Sequence, residues 1–313
     1  MTAHGIARPA LRVLSAAALL LAGAGDIRGQ VVPVDSARLM RVVAALAHDS
    51  MEGRKLGSAG GARARELLAA ELRGRGIEPL VADYVQSFTV SARGGGELTG
   101  GNVLGVIRGT RYPARYLVVS AHYDHLGVHD GHIFNGADDN ASGTAVALEV
   151  ASRFRAEPPD HSIIIALLDG EEAGLSGAQA LLDDAAVPVD AIILNINLDM
   201  VGRSARGELW VAGTHHYPQL ADVVRSVASR AELTLRAGHD TGSGPQNWTG
   251  ASDHAAFHAR GIPFLYFGVE DHEDYHRPSD DVAAIDPSFL VRAARAIIDA
   301  VRTVDARPDA GTR

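Results

Sequence analysis

The sequence has no cysteine in 313 residues. That excludes thiol nucleophiles, disulfide frameworks, iron–sulfur clusters and cysteine-based zinc sites at once. Any metal has to be held by His, Asp and Glu. Basic residues are outnumbered, 29 against 38 acidic, for a net charge of −9, which argues against a nucleic-acid partner. Aromatic residues make up only 5% of the chain, with two tryptophans, Trp210 and Trp248. What the chain does have is 46% hydrophobic residues, enough to bury a large core without covalent staples, and 14 histidines.

The first 30 residues read as a targeting segment. Arg8 and Arg12 precede the apolar run Val13–Ala22, followed by the small residues Ala22-Gly23-Ala24 and then polar Asp26 and Arg28. A basic start, a short apolar stretch and an A-x-A-like site predict a cleaved signal peptide over residues 1–30. The run falls well short of the roughly 20 residues a membrane span needs, so no stable membrane anchor is expected. No Cys follows it to carry a lipid. Losing three Arg and one Asp leaves a net charge of −11. The mature chain, residues 31–313, is expected to be exported, periplasmic or secreted, and acidic.

Helical spacing of Leu39, Val42, Val43 and Leu46 predicts a helix over Asp35–His48, and a second follows over Gly60–Arg75. Tyr84–Val90 and Asn102–Ile107 read as strands, separated by the turn-rich Gly94–Gly101. Four short apolar runs then read as strands: Tyr116–Ala121, Ser162–Leu168, Ala191–Leu198 and Ile262–Phe267. Helical stretches lie at Ser142–Arg155, Ala173–Asp183, Tyr217–Ala231 and Asp253–Arg260, with a last one from Pro287 to Val304. Near-continuous apolar strands alternating with helices predict a single α/β domain, with a mostly parallel central sheet and helices on both faces.

In open α/β sheets the functional groups gather at the carboxyl ends of the strands. Here those ends carry His122-Tyr-Asp124, Asp169-Gly-Glu171-Glu172, Asp199-Met-Val-Gly202 and, after the fourth strand, Glu270 to Asp280 with Tyr275-His276. A further loop, Gly136-Ala-Asp138-Asp139-Asn-Ala-Ser-Gly143, adds two carboxylates just before a helix. So many carboxylates on one rim repel each other unless cations sit among them. Two divalent metal ions resolve that conflict, and an imidazole and carboxylate set suits zinc. The adjacent Glu171 and Glu172 point to opposite sides in an extended segment, so one can bind metal while the other acts as a general base.

These motifs, in this order, resemble the secreted di-zinc aminopeptidases of metallopeptidase clan MH, and Met51-Glu-Gly-Arg with Gly57-Ser-Ala-Gly60 is similar to the start of such a domain. The similarity covers roughly residues 36–305. It implies a three-layer α/β sandwich of the zinc-exopeptidase type, with peptides as substrates. By the same resemblance, one ion would be held by His122, Asp138 and Asp199, and the other by Asp138, Glu172 and His276, with Asp138 bridging. Glu171 would be the general base for the water bridging the two metals, and Asp124 would orient His122 through its other ring nitrogen. Relatives also carry a cis peptide that would fall between Asp138 and Asp139 here, and Tyr275 is similar to a stabiliser of the tetrahedral intermediate. His125, His129 and His132 read as rim residues.

The resemblance makes removal of an N-terminal residue from peptides the leading expectation. The alternative on the same fold is a glutaminyl-peptide cyclotransferase, whose Asp-Gly-Glu-Glu-Ala segment is similar to residues 169–173. Cyclases pack aromatic residues, often Trp, on the glutamine, and this chain has only Trp210 and Trp248 to offer. Ser176 in Gly174-Leu-Ser-Gly177 does not form a serine-hydrolase elbow. The sequence carries no signal for oligomeric state.

Overall fold

Period-2 burial sets the architecture. In the strand His161–Leu168, the side chains of Ile163, Ile165 and Leu167 join one apolar cluster, while Ile164, Ala166 and Leu168 join a second one on the other side of the sheet. A strand buried on both faces has to lie between two layers of helix. The computed structural model describes residues 1–2, 33–91, 95–184, 186, 188–244 and 246–307. Residues Pro33–Arg313 form one compact unit. The expected signal segment lies, apart from Met1 and Thr2, outside the described residues.

The helices are α1 (Ser36–Leu46), α2 (Ala59–Gly74), α3 (Gly143–Ala156), α4 (Ser176–Asp183), α5 (Ala221–Ala228), α6 (His254–Ala259) and α7 (Pro287–Asp305). The strands are β1 (Glu78–Pro79), β2 (Val85–Ser91), β3 (Glu97–Ile107), β4 (Tyr112–His122), β5 (Gly127–His129), β6 (His132–Phe134), β7 (His161–Leu168), β8 (Ile192–Leu198), β9 (Glu208–Ala212), β10 (Thr234–Ala237) and β11 (Phe264–Gly268). Nine of them form one sheet in the order β1-β3-β7-β4-β8-β11-β9-β10, with β2 paired to β3, while β5 and β6 make a separate hairpin. The central strands β7, β4, β8 and β11 run parallel. Antiparallel joins occur toward the flanks, at β1, β2 and β7 with β3, and at β9 with β11.

One face is covered by α1, α2, α3, α5 and α7, the other by α4 and α6. The helix ends are encoded locally. Asp35, Ser58 and Asp286 accept hydrogen bonds from the first-turn amides of α1, α2 and α7, and Pro287 opens α7 where a missing N–H costs nothing. The long strand and helix expectations are met within a few residues. Four pieces were not anticipated: the two-residue strand β1 beside β3, the short strands β9 and β10, which extend the sheet past β11, and the β5–β6 hairpin. The Gly-rich stretch read as a turn enters β3, where Gly100 and Gly101 pair with Phe88 and Ser87.

Strand order places the site. Strand β4 lies between β7 and β8, so the chain leaves β4 in one direction along the sheet and returns on its other side. The crevice at such a reversal lies outside the carboxyl ends of the strands. Here those ends are His122 of β4 and the segments that leave β7 toward Glu171 and β8 toward Asp199.

Candidate metal centre

His122, the last residue of β4, is buried, with Nε2 lying 3.3 Å from Asp199 Oδ1 and 3.4 Å from Asp139 Oδ1. Its Nδ1 faces the backbone oxygen of Asp124 at 3.2 Å and Asp124 Oδ1 at 3.7 Å. The same Asp124 Oδ1 accepts the Glu171 amide at 3.0 Å, which ties the exit of β4 to the exit of β7. On the other side of Asp139, Oδ2 lies 3.1 Å from His276 Nε2 and 3.6 Å from His125 Nδ1. Glu172 Oε1 lies 2.9 Å from His125 Nδ1 and 3.5 Å from His276 Nε2. One carboxylate, that of Asp139, therefore turns one oxygen to His122 and Asp199 and the other to Glu172, His125 and His276.

This corrects the expectation for Asp138. Its carboxylate accepts the Gly202 amide at 2.7 Å and lies 3.1 Å from His272 Nε2, away from His122 and His276. The carboxylate that faces both donor groups is that of Asp139. The cis peptide shows the same displacement: it joins Asp139 to Asn140, not Asp138 to Asp139. The physical reason is how the loop is stitched to its surroundings. Asp280 accepts the amides of Asp138 (2.9 Å) and Asp139 (3.0 Å), Asn140 Nδ2 donates to Leu198 O (2.8 Å), and the Ser142 hydroxyl accepts the Val201 amide (3.0 Å). With the segment after β8 drawn against the loop, Gly202 claims the first aspartate, and the second faces the crevice. A Cβ on Gly202 would lie 2.7 Å from Asp138 Oδ1, so this close approach requires glycine. Gly136 has φ +54, and a Cβ there would meet the His125 ring at 2.6 Å.

The residues fit two cations by their donor chemistry. Two groups, His122 with Asp139 and Asp199, and His125 with Asp139 and Glu172, each bring three ligand atoms within 4.8 Å of one another. The donor separations at the site, 2.9 to 3.6 Å, are those of atoms around a common centre at about 2.0–2.2 Å. The electrostatics agree. Burial opposes ionisation of Glu172, but hydrogen bonds from His125 and His276 hold its carboxyl well below the usual range. Asp139 and Glu172 in turn raise His276 to about 10. Burial pushes the Glu171 carboxyl well above the usual range; His122 opposes this, and Asp253, Asp199 and Asp124 reinforce it.

A cavity of 230 Å³ opens on this cluster, lined among others by Glu171, Asp199, Trp248, Tyr266, Tyr275 and His276. The Tyr275 ring stacks on His276 with centroids 3.9 Å apart. The sequence pattern gives four participants no place at this centre. His125, read as a rim residue, is buried against Glu172 and Asp139. Asp280 lies four residues after His276, in a motif that by itself assigns it no role. Tyr266 sits in an apolar strand, and Trp248 opens the single 3-10 turn Trp248–Gly250, which has no periodic pattern. Asp253 is also fully buried, and among the described residues neither of its carboxylate oxygens has a hydrogen-bond partner. The adjacency of His125 to Asp124 was the one signal that could have found a member of this group.

A family profile described as Peptidase family M28 matches residues 102–301. The aminopeptidase YwaD of Bacillus subtilis (strain 168) is 32% identical over 192 residues, 58% of this chain, and the chain spans 40% of that relative's length. A crystal structure of BSAP, a zinc aminopeptidase from Bacillus subtilis, superposes with a TM-score of 0.72 at 18% identity, covering 87% of this chain and 96% of that one. A glutaminyl cyclase from Porphyromonas gingivalis superposes with a TM-score of 0.70 at 22% identity, covering 86% and 98%. At these identities the two solved structures establish the shared fold.

Proposed function

Because the chain belongs to peptidase family M28, we propose that it is a metal-dependent aminopeptidase that hydrolyses the N-terminal peptide bond of peptides. The observation that carries this reading is the Asp139 carboxylate, whose two oxygens serve two separate donor groups. His122, Asp199 and Asp139 would hold one ion. Asp139, Glu172 and His276 would hold the other, with His125 against the same oxygens. Two zinc ions, when bound, supply the electrophile that polarises the scissile carbonyl and lowers the pKa of the attacking water.

The chain's own groups supply the rest. Glu171 lines the cavity and is not among the donors, so it serves as general base, taking a proton from the attacking water and returning it to the leaving amine. Asp124 fixes that arrangement by holding the Glu171 amide while facing His122 Nδ1. Tyr275 offers a phenol at the cavity wall for the developing oxyanion. Trp248 and Tyr266 make an aromatic wall that excludes water from the first residue's side chain, and the surplus of carboxylates draws in a substrate α-ammonium. Among the described residues no helix is long and apolar enough to cross a membrane. The N-terminal pattern supports export, to the periplasm or the medium.

The test is hydrolysis of Leu- and Arg-aminoacyl anilides by the purified protein, with and without a chelator. Activity lost with chelator, restored by zinc and abolished in Glu171→Gln is the expected result. Activity indifferent to both would overturn the mechanism. The second reading, a glutaminyl cyclase, is favoured by one observation, the Trp248 and Tyr266 wall beside the cluster. Release of ammonia from Gln-initiated peptides without anilide hydrolysis would establish it instead.

A further inference from the structure

The Met51-Glu-Gly-Arg54 segment precedes the region matched by the family profile and has no part in the mechanism above. Arg54 is nevertheless fully buried, and among the described residues no ion pair is formed by its guanidinium. It donates instead to four backbone carbonyls: Nε to Tyr123 O at 2.7 Å, Nη1 to Leu46 O at 2.7 Å and Asn135 O at 2.5 Å, and Nη2 to Gly136 O at 2.9 Å. Leu46 is the last residue of α1, where a cation also meets the negative end of the helix. The other three carbonyls belong to the site. Tyr123 sits between His122 and Asp124, and Asn135-Gly136 leads into Asp139.

The chain bends sharply to put Arg54 there. Glu52, Gly53 and Arg54 all hold left-handed φ, at 49°, 64° and 49°. A Cβ on Gly53 would lie 2.5 Å from Phe134 O and 2.6 Å from Gly127 O, so the turn is pressed against both strands of the β5–β6 hairpin. Consecutive left-handed residues persist only where the surroundings over-determine them. A planar, five-donor fork can serve four carbonyls from three chain segments; a lysine ammonium on a flexible stem cannot hold that arrangement.

We infer that Arg54 is a positioning residue for the metal centre, fixing His122 relative to Asp139 by tying the turn after β4 to the loop before Asp139. The inference rests on the two-ion reading given above. Burial lowers the Arg54 guanidinium to about 10, against the raising fields of Asp139, Asp280, Asp124 and Glu172, so it is a cation at neutral pH. Its charge is not the device, because ions bound at those carboxylates are cations as well. The device is the fork.

The experiment compares the parent with Arg54→Lys and Arg54→Gln, measuring zinc affinity by competition with a chromogenic chelator on protein shown by circular dichroism to be folded. Both variants should bind at least one zinc about 10- to 100-fold more weakly, with kcat falling and KM nearly unchanged, since Arg54 touches no substrate. Asp305→Asn is the control. Asp305 accepts the amides of Asp160 and His161 at the opposite end of β7, so its loss should lower Tm and leave zinc affinity alone. If both Arg54 variants lose Tm as the control does yet bind zinc within twofold of the parent, the inference is overturned. A lysine variant equal to the parent overturns it too, because charge alone would then suffice. If neither variant folds, Gly53→Ala keeps the guanidinium but displaces its turn; weaker zinc binding supports the inference and parental binding overturns it. A parent that binds no zinc would sink the two-ion reading itself.

Discussion

The assignment of the shared carboxylate to Asp139 rather than Asp138 is the most discriminating point to test, because the two are adjacent and chemically identical. Asp139→Asn neutralises the one carboxylate that, among the described residues, faces both donor groups, with oxygens 3.4 Å from His122 Nε2 and 3.1 Å from His276 Nε2. Both ions lose an anionic ligand, so zinc content should fall from two per chain to one or none, and hydrolysis should be abolished. Asp138→Asn acts differently. Its carboxylate accepts one amide, from Gly202 at 2.7 Å, and faces half-buried His272 at 3.1 Å. An asparagine oxygen can still accept from Gly202, so the loss is the charge assistance of one buried bond and the His272 contact, about 1–3 kcal/mol. At roughly 2–4 °C per kcal/mol for a domain of this size, Tm should fall by several degrees. Zinc content should remain two. Metal analysis per chain and thermal unfolding on the same preparations decide the matter. If Asp138→Asn is the variant that loses zinc and Asp139→Asn keeps it, the geometry described here is wrong.

Glu171→Gln should lower kcat by about 10²–10⁴-fold with zinc content unchanged; lost zinc would mean that Glu171 is a ligand. Trp248→Ala removes much of the cavity's aromatic wall, so KM for anilides of apolar residues should rise while zinc content holds; an unchanged KM would place the side-chain pocket elsewhere. Gly202→Ala places a methyl 2.7 Å from Asp138 Oδ1 and 2.8 Å from Ile285 Cδ1, and should destabilise the fold by about 1–3 kcal/mol in urea unfolding; a neutral result would refute the close packing of this turn. Burial holds His254 at about 3, against 6.5 for an ordinary histidine, while its Nε2 donates to Trp248 O at 2.8 Å. The unfolded chain therefore takes up this proton first, and stability is lost as pH falls from about 6.5 toward 3, by up to about 1.4 kcal/mol per pH unit. His254→Gln should remove that part of the slope relative to the parent, and an unchanged slope would show that the ring is not buried neutral.

Much of the fold was legible because its signals are periodic. A run such as Ile163–Leu168 feeds two apolar layers by alternation, and Asp286-Pro287 announces a helix start, so the central strands and α7 fall near their expected bounds. Strands β9 and β10 were invisible because they are four or five residues long, and β10 is mostly exposed at the sheet edge. The residue types of the site were legible too, since strand order brings the ends of β4, β7 and β8 together wherever those strands alternate with helices.

By itself, the sequence determined the layers, the rim on which the chemistry sits, and a donor set of imidazole and carboxylate, because all of these follow from residue type and position along a strand. Tertiary structure alone decided which aspartate is shared, that His125 joins Glu172, and that Arg54 clamps the loops. In an irregular loop no period fixes where a side chain points. That direction is set by distant partners, here the Gly202 amide, the Asp280 carboxylate and the Leu198 carbonyl, each at least 58 residues away from the group it holds.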